Sequence, residues 1–253
     1  MIPQLRGWTS VQRTVQNNTR LGITLCFVAG ATNAGGFLAV GQYTSHMTGI
    51  LSAVADNLVM GQLKLVLVGV ASLLAFISGA MTTTWMVNWA LRRNLQSAYG
   101  RPLLLEAALL LVFGLFGTGI NFLAGLFVPL TVLVLCFIMG LQNAVITKIS
   151  RAEIRTTHIT GLVTDLGIEL GKLLYINRLT RDTLVVANRT KLHLHIKLIS
   201  SFFVGGLLGA LGFKTFGFIT TVPLSVLLTL LVIRPVLNDA RNWIEPHSPG
   251  QDH

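Results

Sequence analysis

The sequence predicts an all-α, polytopic membrane protein in which six transmembrane helices form two inverted repeats of three helices. Three observations support this prediction: apolar segments long enough to cross a bilayer, basic residues that alternate between connections, and a motif that occurs twice. Of the 253 residues, 52% are apolar and 11% are charged, whereas about 25% are charged in a typical soluble domain. With a mean hydropathy of +0.69, this composition excludes a disordered chain and an ordinary water-soluble enzyme.

Six apolar segments approach the roughly 20 residues that a helix needs to cross the hydrocarbon core. They cover residues 21–43, 63–90, 103–121, 126–148, 197–213 and 215–234. The first follows three arginines, as a secretory signal would. We interpret it as a retained span, because it is too long for a signal and carries Asn33 in its middle. Residues 46–61 and 158–172 are amphipathic and too short to span, so we expect them at an interface or part-way into the bundle.

The Lys and Arg residues predict the orientation. Seventeen lie in the two termini and in the second and fourth connections, and two lie in the first and fifth. Because basic residues are retained on the cytoplasmic side, we expect both termini in the cytoplasm. The formal charge of +10 then indicates insertion into, and contact with, an anionic lipid bilayer. No nucleic-acid partner is expected, because no basic stripe with interleaved aromatic residues is present.

An internal repeat divides the chain into two halves. Residues 25–34 (LCFVAGATNA) and 135–144 (LCFIMGLQNA) are identical at six of ten positions, and 44–49 (TSHMTG) and 156–161 (TTHITG) at four of six. A weaker echo relates Phe76–Gly79 to Phe203–Gly206. We predict one membrane domain, with repeat one over about 21–121, repeat two over about 126–234, and a cytoplasmic loop with an amphipathic helix over 149–196. Three spans per repeat force the second copy to be inverted, which suits a site near the midplane.

Polar residues at equivalent positions of the two repeats are the candidates for substrate binding: Asn33, Asn143, Thr32, Gln142, Thr48, Thr160, His46 and His158. An unpaired amide is costly in hydrocarbon, so the two asparagines must face one another, backbone or a wet cavity. They therefore either bind a polar substrate or join two helices. The two threonines, or the residues around them, either cap a helix whose free N–H groups favour an anionic or strongly polar ligand, or shape a turn. The histidines are either pH-responsive or merely tolerated at an interface.

Four glycines are candidates for hinges or close packing: Gly35, Gly36, Gly49 and Gly161. The successive pair Gly35-Gly36 predicts a local break in the first span, because each glycine weakens a helix by about 1 kcal/mol. The stripe Gly205-Gly206 with Gly209 predicts close helix packing.

The remaining polar residues have less specific expectations. Asp165 and Glu169 are expected on a solvated helix face, and Glu106, about 6 Å into its helix, is expected to reach the lipid headgroups. Residues 191–197 alternate with period two and predict a short extended segment before the fifth span. The chain carries no metal-ligand spacing and no catalytic signature, so we expect no metal, no cofactor and no enzyme activity.

The motifs Asn33-Ala34-Gly35-Gly36-Phe37 and Met139-Gly140-Leu141-Gln142-Asn143-Ala144, with the steps Thr48-Gly49 and Thr160-Gly161, together resemble the YoaK family. The resemblance covers nearly the whole chain. It implies a bacterial inner (cytoplasmic) membrane protein of about this size, built around a domain of unknown function and with no assigned substrate. Asn33 stands where the family often has Asp, and Ile50 where it often has Asn. Any ion or proton coupling that depends on that acid would be absent from this chain.

The leading hypothesis is a permease for a small polar substrate, in which the inverted halves rock about a midplane site at Asn33 and Asn143. The two Thr-Gly elements would act as gates. The alternative is a non-transporting assembly or sensory partner that acts through residues 149–196. An intramembrane enzyme is a third class, and none of its usual signatures is present. The sequence leaves open whether the chain forms a homo-oligomer.

Overall fold

The protein folds as a bundle of α-helices. Its structure, a computed structural model, describes residues 8–9, 11, 14–116, 124–177 and 184–244. The helices within these ranges are α1 (Val15–Val40), α2 (Met47–Val59), α3 (Leu63–Arg92), α4 (Gly100–Phe116), α5 (Ala124–Ser150), α6 (Ile159–Leu174), α7 (Arg189–Phe216) and α8 (Thr221–Ile244). A 3₁₀ turn, Gly217–Thr220, joins α7 to α8. Residues 117–121 of the third predicted span and residues 122–123 after it lie outside the described residues.

Four helical segments are long and apolar enough to cross a membrane. They are Val15–Val40, Leu63–Arg92, Pro129–Ser150 and Arg189–Arg241, the last of which contains both α7 and α8. Large apolar side chains cover the outer surfaces of α3 and α7, where Trp85 and Phe203 are about two-thirds exposed. Water would disfavour such a surface, whereas lipid tails accommodate it. The chain is therefore a membrane protein, as its composition predicts.

The two amphipathic stretches form the short helices α2 and α6. Helix α2 packs along the first half of α3, where a Cβ at Gly69 would overlap the side chain of Val54. Helix α6 packs in the same way along the start of α7. Both short helices begin beside the long helices, because the loops that precede them turn back along α1 and α5 to Asn33 and Asn143.

The directions of the long helices follow from their contacts. Helices α1 and α7 run parallel, because Gly22 packs near Leu198 and Ala31 near Gly209. Helices α1 and α5 run antiparallel: the Gln142 side-chain amide donates to the Leu25 carbonyl at 3.2 Å, while Leu135 lies beside Gly36.

Helices α4 and α8 are also antiparallel, and hydroxyl groups join them. Thr221 donates to the Leu110 carbonyl at 2.7 Å, and Ser225 donates to the Ala107 carbonyl at 2.6 Å. In lipid such interhelical hydrogen bonds contribute to association, because the backbone oxygen gains a second partner that the hydrocarbon does not offer.

Glycines allow the closest crossings between long helices. A Cβ at Gly30 would overlap the Phe202 carbonyl, and a Cβ at Gly140 would overlap the Phe76 carbonyl. Gly79 and Gly205 approach the carbonyls of Phe137 and Phe27 in the same way. Only glycine fits at these four positions, so the backbones meet directly. The close packing predicted for Gly205 and Gly209 is thus confirmed.

These crossings correct the weakest match in the internal repeat. The sequence comparison pairs Phe76–Gly79 with Phe203–Gly206, whereas the crossings make Phe76 equivalent to Phe202 and Gly79 equivalent to Gly205. The shift is one residue. Apolar positions alone could not fix this register, because neighbouring Phe and Gly residues offer two alignments of similar quality.

Two expectations about local structure are wrong. Helix α1 continues unbroken through Gly35 and Gly36, which provide space instead: a Cβ at Gly35 would overlap the ring of Phe213. Residues 191–197 are helical and belong to α7, which begins at Arg189. Its buried residues there, Leu192, His195 and Leu198, are spaced by three, so one helical face is covered by its neighbours.

Glu106 does not reach the membrane surface. It is fully buried, and neither carboxyl oxygen has a hydrogen-bond partner among the described residues. The reason lies at the start of α4, where Asp239 of α8 accepts the backbone N–H groups of Gln96 and Ser97 at 2.9 and 2.8 Å. This anchor holds the first turns of α4 against α8. The sequence predicts the depth of Glu106 along its helix but not the side on which it lies.

Candidate functional site

A polar cavity of about 910 Å³ lies between the two halves of the bundle. Fifteen described residues line it, and fourteen of them form pairs at equivalent positions of the repeats. The pairs are Asn33 and Asn143, Tyr43 and Arg155, Ser45 and Thr157, His46 and His158, Met47 and Ile159, Thr48 and Thr160, and Phe76 and Phe202; Thr147 is unpaired. Both halves therefore build the same cavity.

The cavity lies at the middle of the long helices. Phe76 is the 14th of the 30 residues of α3, and Phe202 is the 14th of the 28 residues of α7. At 1.5 Å per residue, each ring is about 20 Å from the start of its helix. The two phenylalanine rings thus lie near the middle of α3 and α7, while Asn33 and Asn143 line the cavity from the last third of α1 and of α5.

Asn33 joins α1 to the loop that precedes α2. Its side-chain oxygen accepts the Ser45 backbone N–H at 3.2 Å and the Ser45 hydroxyl at 3.0 Å. A backbone N–H can only donate, so the oxygen of the amide faces Ser45 and its nitrogen faces away. These bonds hold the loop against the span and place the start of α2 at the cavity.

Asn143 has the equivalent role in the second half. Its oxygen lies 2.9 Å from the Thr157 hydroxyl and 3.4 Å from the Thr156 hydroxyl, which donate to it. Its nitrogen donates to the Met139 carbonyl at 2.8 Å. The amide oxygen and nitrogen of Asn143 thus both have partners within the protein, whereas the Asn33 nitrogen has none among the described residues.

The N-termini of α2 and α6 open into the cavity. Their N-cap residues are His46 and His158, and neither makes a side-chain capping bond. Thr48 and Thr160 are the second residues of their helices, so the cap positions fall on the neighbouring His46 and His158 of the same motif. The glycines after them leave room for the imidazoles, because a Cβ at Gly49 or Gly161 would lie 2.5 Å from the Nδ1 atom of the preceding histidine. The first N–H groups of both helices therefore lack side-chain partners.

Arg155 brings a formal positive charge to the cavity. Its guanidinium donates to Nδ1 of His158 at 3.1 Å. Because arginine has no acceptor, this Nδ1 carries no proton, and the remaining ring proton lies on Nε2. The equivalent residue of the first half is Tyr43, so the charge belongs to one half of the cavity only.

The structure brings together six of the eight predicted polar residues. Thr32 and Gln142 are the exceptions: both are buried in the bundle and do not line the cavity. Gln142 instead joins α5 to α1 through the Leu25 carbonyl. Each neighbours a cavity asparagine in sequence, but adjacent residues on a helix are about 100° apart and face different surroundings.

Sequence reasoning missed Ser45, Thr157, Arg155 and the phenylalanine pair. Ser45 and Thr157 lie within the repeated hexapeptide, so their equivalent positions in the two copies indicate that they belong to the site. Arg155 directly precedes that motif, and it was counted only among the basic residues of a cytoplasmic connection. Part of the segment 149–196 thus lines the cavity wall.

Glu169 is not on a solvated face, in contrast to Asp165, which is exposed as expected. Its carboxylate is buried against the start of α7, where it accepts the Lys172 ammonium at 2.8 Å and the Asn188 backbone N–H at 2.6 Å. Hydrogen bonds first from Lys172 and then from Asn188 lower the pKa of Glu169 below its ordinary value. This contact joins the end of α6 to α7.

The fold and the cavity define a polytopic α-helical membrane protein with a central polar site. The family described as "Protein of unknown function (DUF1275)" matches residues 21–234, and the chain belongs to this family. It is 31% identical to the "UPF0700 transmembrane protein YoaK" of Bacillus subtilis (strain 168) over 179 residues, which cover 67% of this chain and 76% of the relative. The resemblance to the YoaK family is thereby confirmed. No solved structure matches the chain significantly.

Proposed function

We propose that the protein is a small-molecule permease that works by alternating access around the central cavity. The observation that carries this proposal is the composition of the cavity wall, to which the two halves contribute equivalent residues at mid-helix depth. Substrate sites of many carriers lie where structural repeats meet near the midplane, because rocking one repeat against the other exposes such a site to either side.

The proposal includes six spans in two inverted repeats, with both termini in the cytoplasm of a bacterial inner membrane. The antiparallel course of α1 and α5 supports the inversion, as does the parallel course of α1 and α7. The crossings at Gly30 and Gly140 support it further, since exchanging the repeats converts one crossing into the other. Each crossing joins a long helix of one repeat to a long helix of the other, so the two equivalent packed units are α1 with α7 and α3 with α5.

Helices α2 and α6 serve as the gates. Each begins at the cavity and runs toward an opposite side, and each is tied to a span by one asparagine. A tilt of α2 therefore changes the position of Ser45 relative to Asn33, and a tilt of α6 does the same for Thr157 and Asn143. Because both helices begin in the cavity wall, a ligand bound in the cavity would contact the first turn of each gate.

Single-cysteine labelling tests the carrier mechanism. The natural cysteines, Cys26 and Cys136, are buried and give a low background. Thr48→Cys and Thr160→Cys both place a thiol in the cavity. We expect a membrane-impermeant maleimide in the medium to label each of them in intact cells and also in inverted vesicles, whose outer surface is the cytoplasmic face. Labelling that is confined to one side under all conditions contradicts alternating access.

A second candidate is an assembly or sensory partner that acts through residues 149–196. Its support is an exposed apolar surface at the end of α6 and before α7, where Leu174 is 79% and Val186 is 72% exposed. Leu174→Asn and Val186→Asn should abolish the cellular phenotype if this surface binds a partner. In a permease, these substitutions leave transport intact and variants of the cavity remove it.

A further inference from the structure

We propose that the ligand of the central cavity is a small anion bearing an oxyanion group, such as a carboxylate, phosphate or sulfate. The inference rests on the proposed function, since it names the substrate class of the same cavity. Three independent features of the wall carry it: two helix N-termini, an amide donor without a partner, and a guanidinium with no compensating acid.

The helix N-termini provide backbone donors. Helices α2 and α6 contain 13 and 16 residues, and the first turn of each lines the cavity without a side-chain cap. The aligned peptide dipoles give each N-terminus a partial positive charge of about half an elementary charge. Two such ends at one cavity favour an anion, because their free N–H groups can donate to its oxygens.

Asn33 provides a second, independent donor. Its side chain is only 9% exposed, yet it forms part of the cavity wall. Its oxygen is held by the Ser45 backbone N–H, so the group that remains for a ligand is the –NH₂ group. That nitrogen has no hydrogen-bond partner among the described residues. An amide donor at the cavity wall without a protein partner is available to a ligand acceptor, and an oxyanion supplies one.

Arg155 provides the charge. Among the described residues that line the cavity it is the one with a formal charge, and neither Asp nor Glu is among them. Its bond to His158 orients the guanidinium and leaves the Nε2–H of the imidazole as a further donor. Because nothing in the wall neutralises Arg155, an anionic ligand would meet a favourable field, and a cation would be repelled.

Thermal unfolding of the purified protein in detergent tests the inference. Sodium phosphate, sodium sulfate and sodium succinate are titrated at constant ionic strength against sodium chloride, with choline chloride and glycerol as cationic and neutral probes. We expect at least one oxyanion to raise the melting temperature saturably. Arg155→Gln should weaken its apparent affinity by about tenfold or more, since a charge-assisted hydrogen bond is lost. Asn33→Asp should weaken it as well, and Arg155→Lys should retain part of it.

Arg151→Gln is the matched control, because Arg151 is exposed in the same loop and does not line the cavity. It should bind the anion as the wild type does. The inference is overturned if none of the three oxyanions stabilises the protein, or if Arg155→Gln binds as tightly as the wild type. If only choline or glycerol stabilises it and the cavity cysteines are labelled from both sides, the anion class is wrong and the carrier stands. If the cavity cysteines are labelled from one side only and the anion still binds, the carrier mechanism is wrong and the anion class stands.

Discussion

The side-chain oxygen of Asn33 accepts both the backbone N–H and the hydroxyl of Ser45, at 3.2 and 3.0 Å. This contact fixes three features at once: the fold of the loop after α1, the position at which α2 begins, and the direction of the free Asn33 nitrogen. Thr157 and Asn143 make the equivalent contact in the second half. The four residues thus determine where both short helices begin.

Removal of the Asn33 side chain should destabilise the protein more than removal of the Ser45 hydroxyl. Asn33→Ala leaves a partly buried backbone N–H without a partner, which costs about 1–3 kcal/mol. Ser45→Ala removes one hydroxyl and keeps the backbone bond, so the expected loss is about 1 kcal/mol or less. Thermal unfolding in detergent measures both variants. Equal losses would mean that the backbone bond does not contribute as described.

Alanine at the helix crossings should be poorly tolerated. Gly30→Ala and Gly140→Ala each place a methyl group against a backbone carbonyl that cannot rotate away, so the helices must separate. We expect a loss of about 1–3 kcal/mol or more from each. The two losses should be similar, because the crossings are equivalent. The measurement is the thermal stability of each variant.

Gly167→Ala is the control for these crossings. Gly167 is an exposed residue inside α6, and a Cβ there would meet nothing within 4 Å. Because alanine favours a helix over glycine by about 1 kcal/mol, this variant should be as stable as the wild type or more stable. Destabilisation of Gly167→Ala to the same extent would show that loss of packing space is not the cause.

Stability should depend on pH through Glu169. Its pKa is lowered in the folded protein by hydrogen bonds from Lys172 and Asn188. The ionised carboxylate therefore stabilises the fold above the ordinary pKa of a glutamate, and this contribution is lost as the pH falls through the lowered value. Glu169→Gln should reduce the melting temperature at pH 7 and have a smaller effect in acid. The exposed Asp165→Asn should show no such difference.

The two connections of the short helices should face opposite sides of the membrane. Gln62, between α2 and α3, and Asn177, after α6, are both exposed. In intact cells, an impermeant maleimide should label Gln62→Cys but not Asn177→Cys, and inverted vesicles should reverse this pattern. Labelling of both sites from the same side would contradict the inverted repeat and the orientation that the basic residues predict.

The internal repeat by itself predicts much of the cavity wall. Six of the eight predicted polar residues line it, because the two copies of the motif contribute equivalent residues to one shared surface. Thr32 and Gln142 neighbour the asparagines in sequence but do not line the cavity, because residues adjacent along a helix point their side chains in different directions. Arg155 was missed because the repeat does not conserve a charge there, and only the folded loop brings it to the wall.

The sequence alone determined the class of the protein, its helical segments and the equivalence of its halves, since hydrophobicity, length and repetition are properties of the chain. Only the tertiary structure decided which polar groups keep a free donor. Asn33 and Asn143 are the same residue in the same motif, and in both the loop after the helix folds back onto the amide oxygen. The Asn143 nitrogen also donates to the carbonyl one turn earlier in α5, whereas the Asn33 nitrogen has no partner among the described residues. Glu106 and Glu169 illustrate the same point, because both are buried, Glu169 where it accepts the backbone N–H of Asn188. Hydrogen-bond saturation and burial depend on neighbours in space, and a linear pattern cannot specify those neighbours.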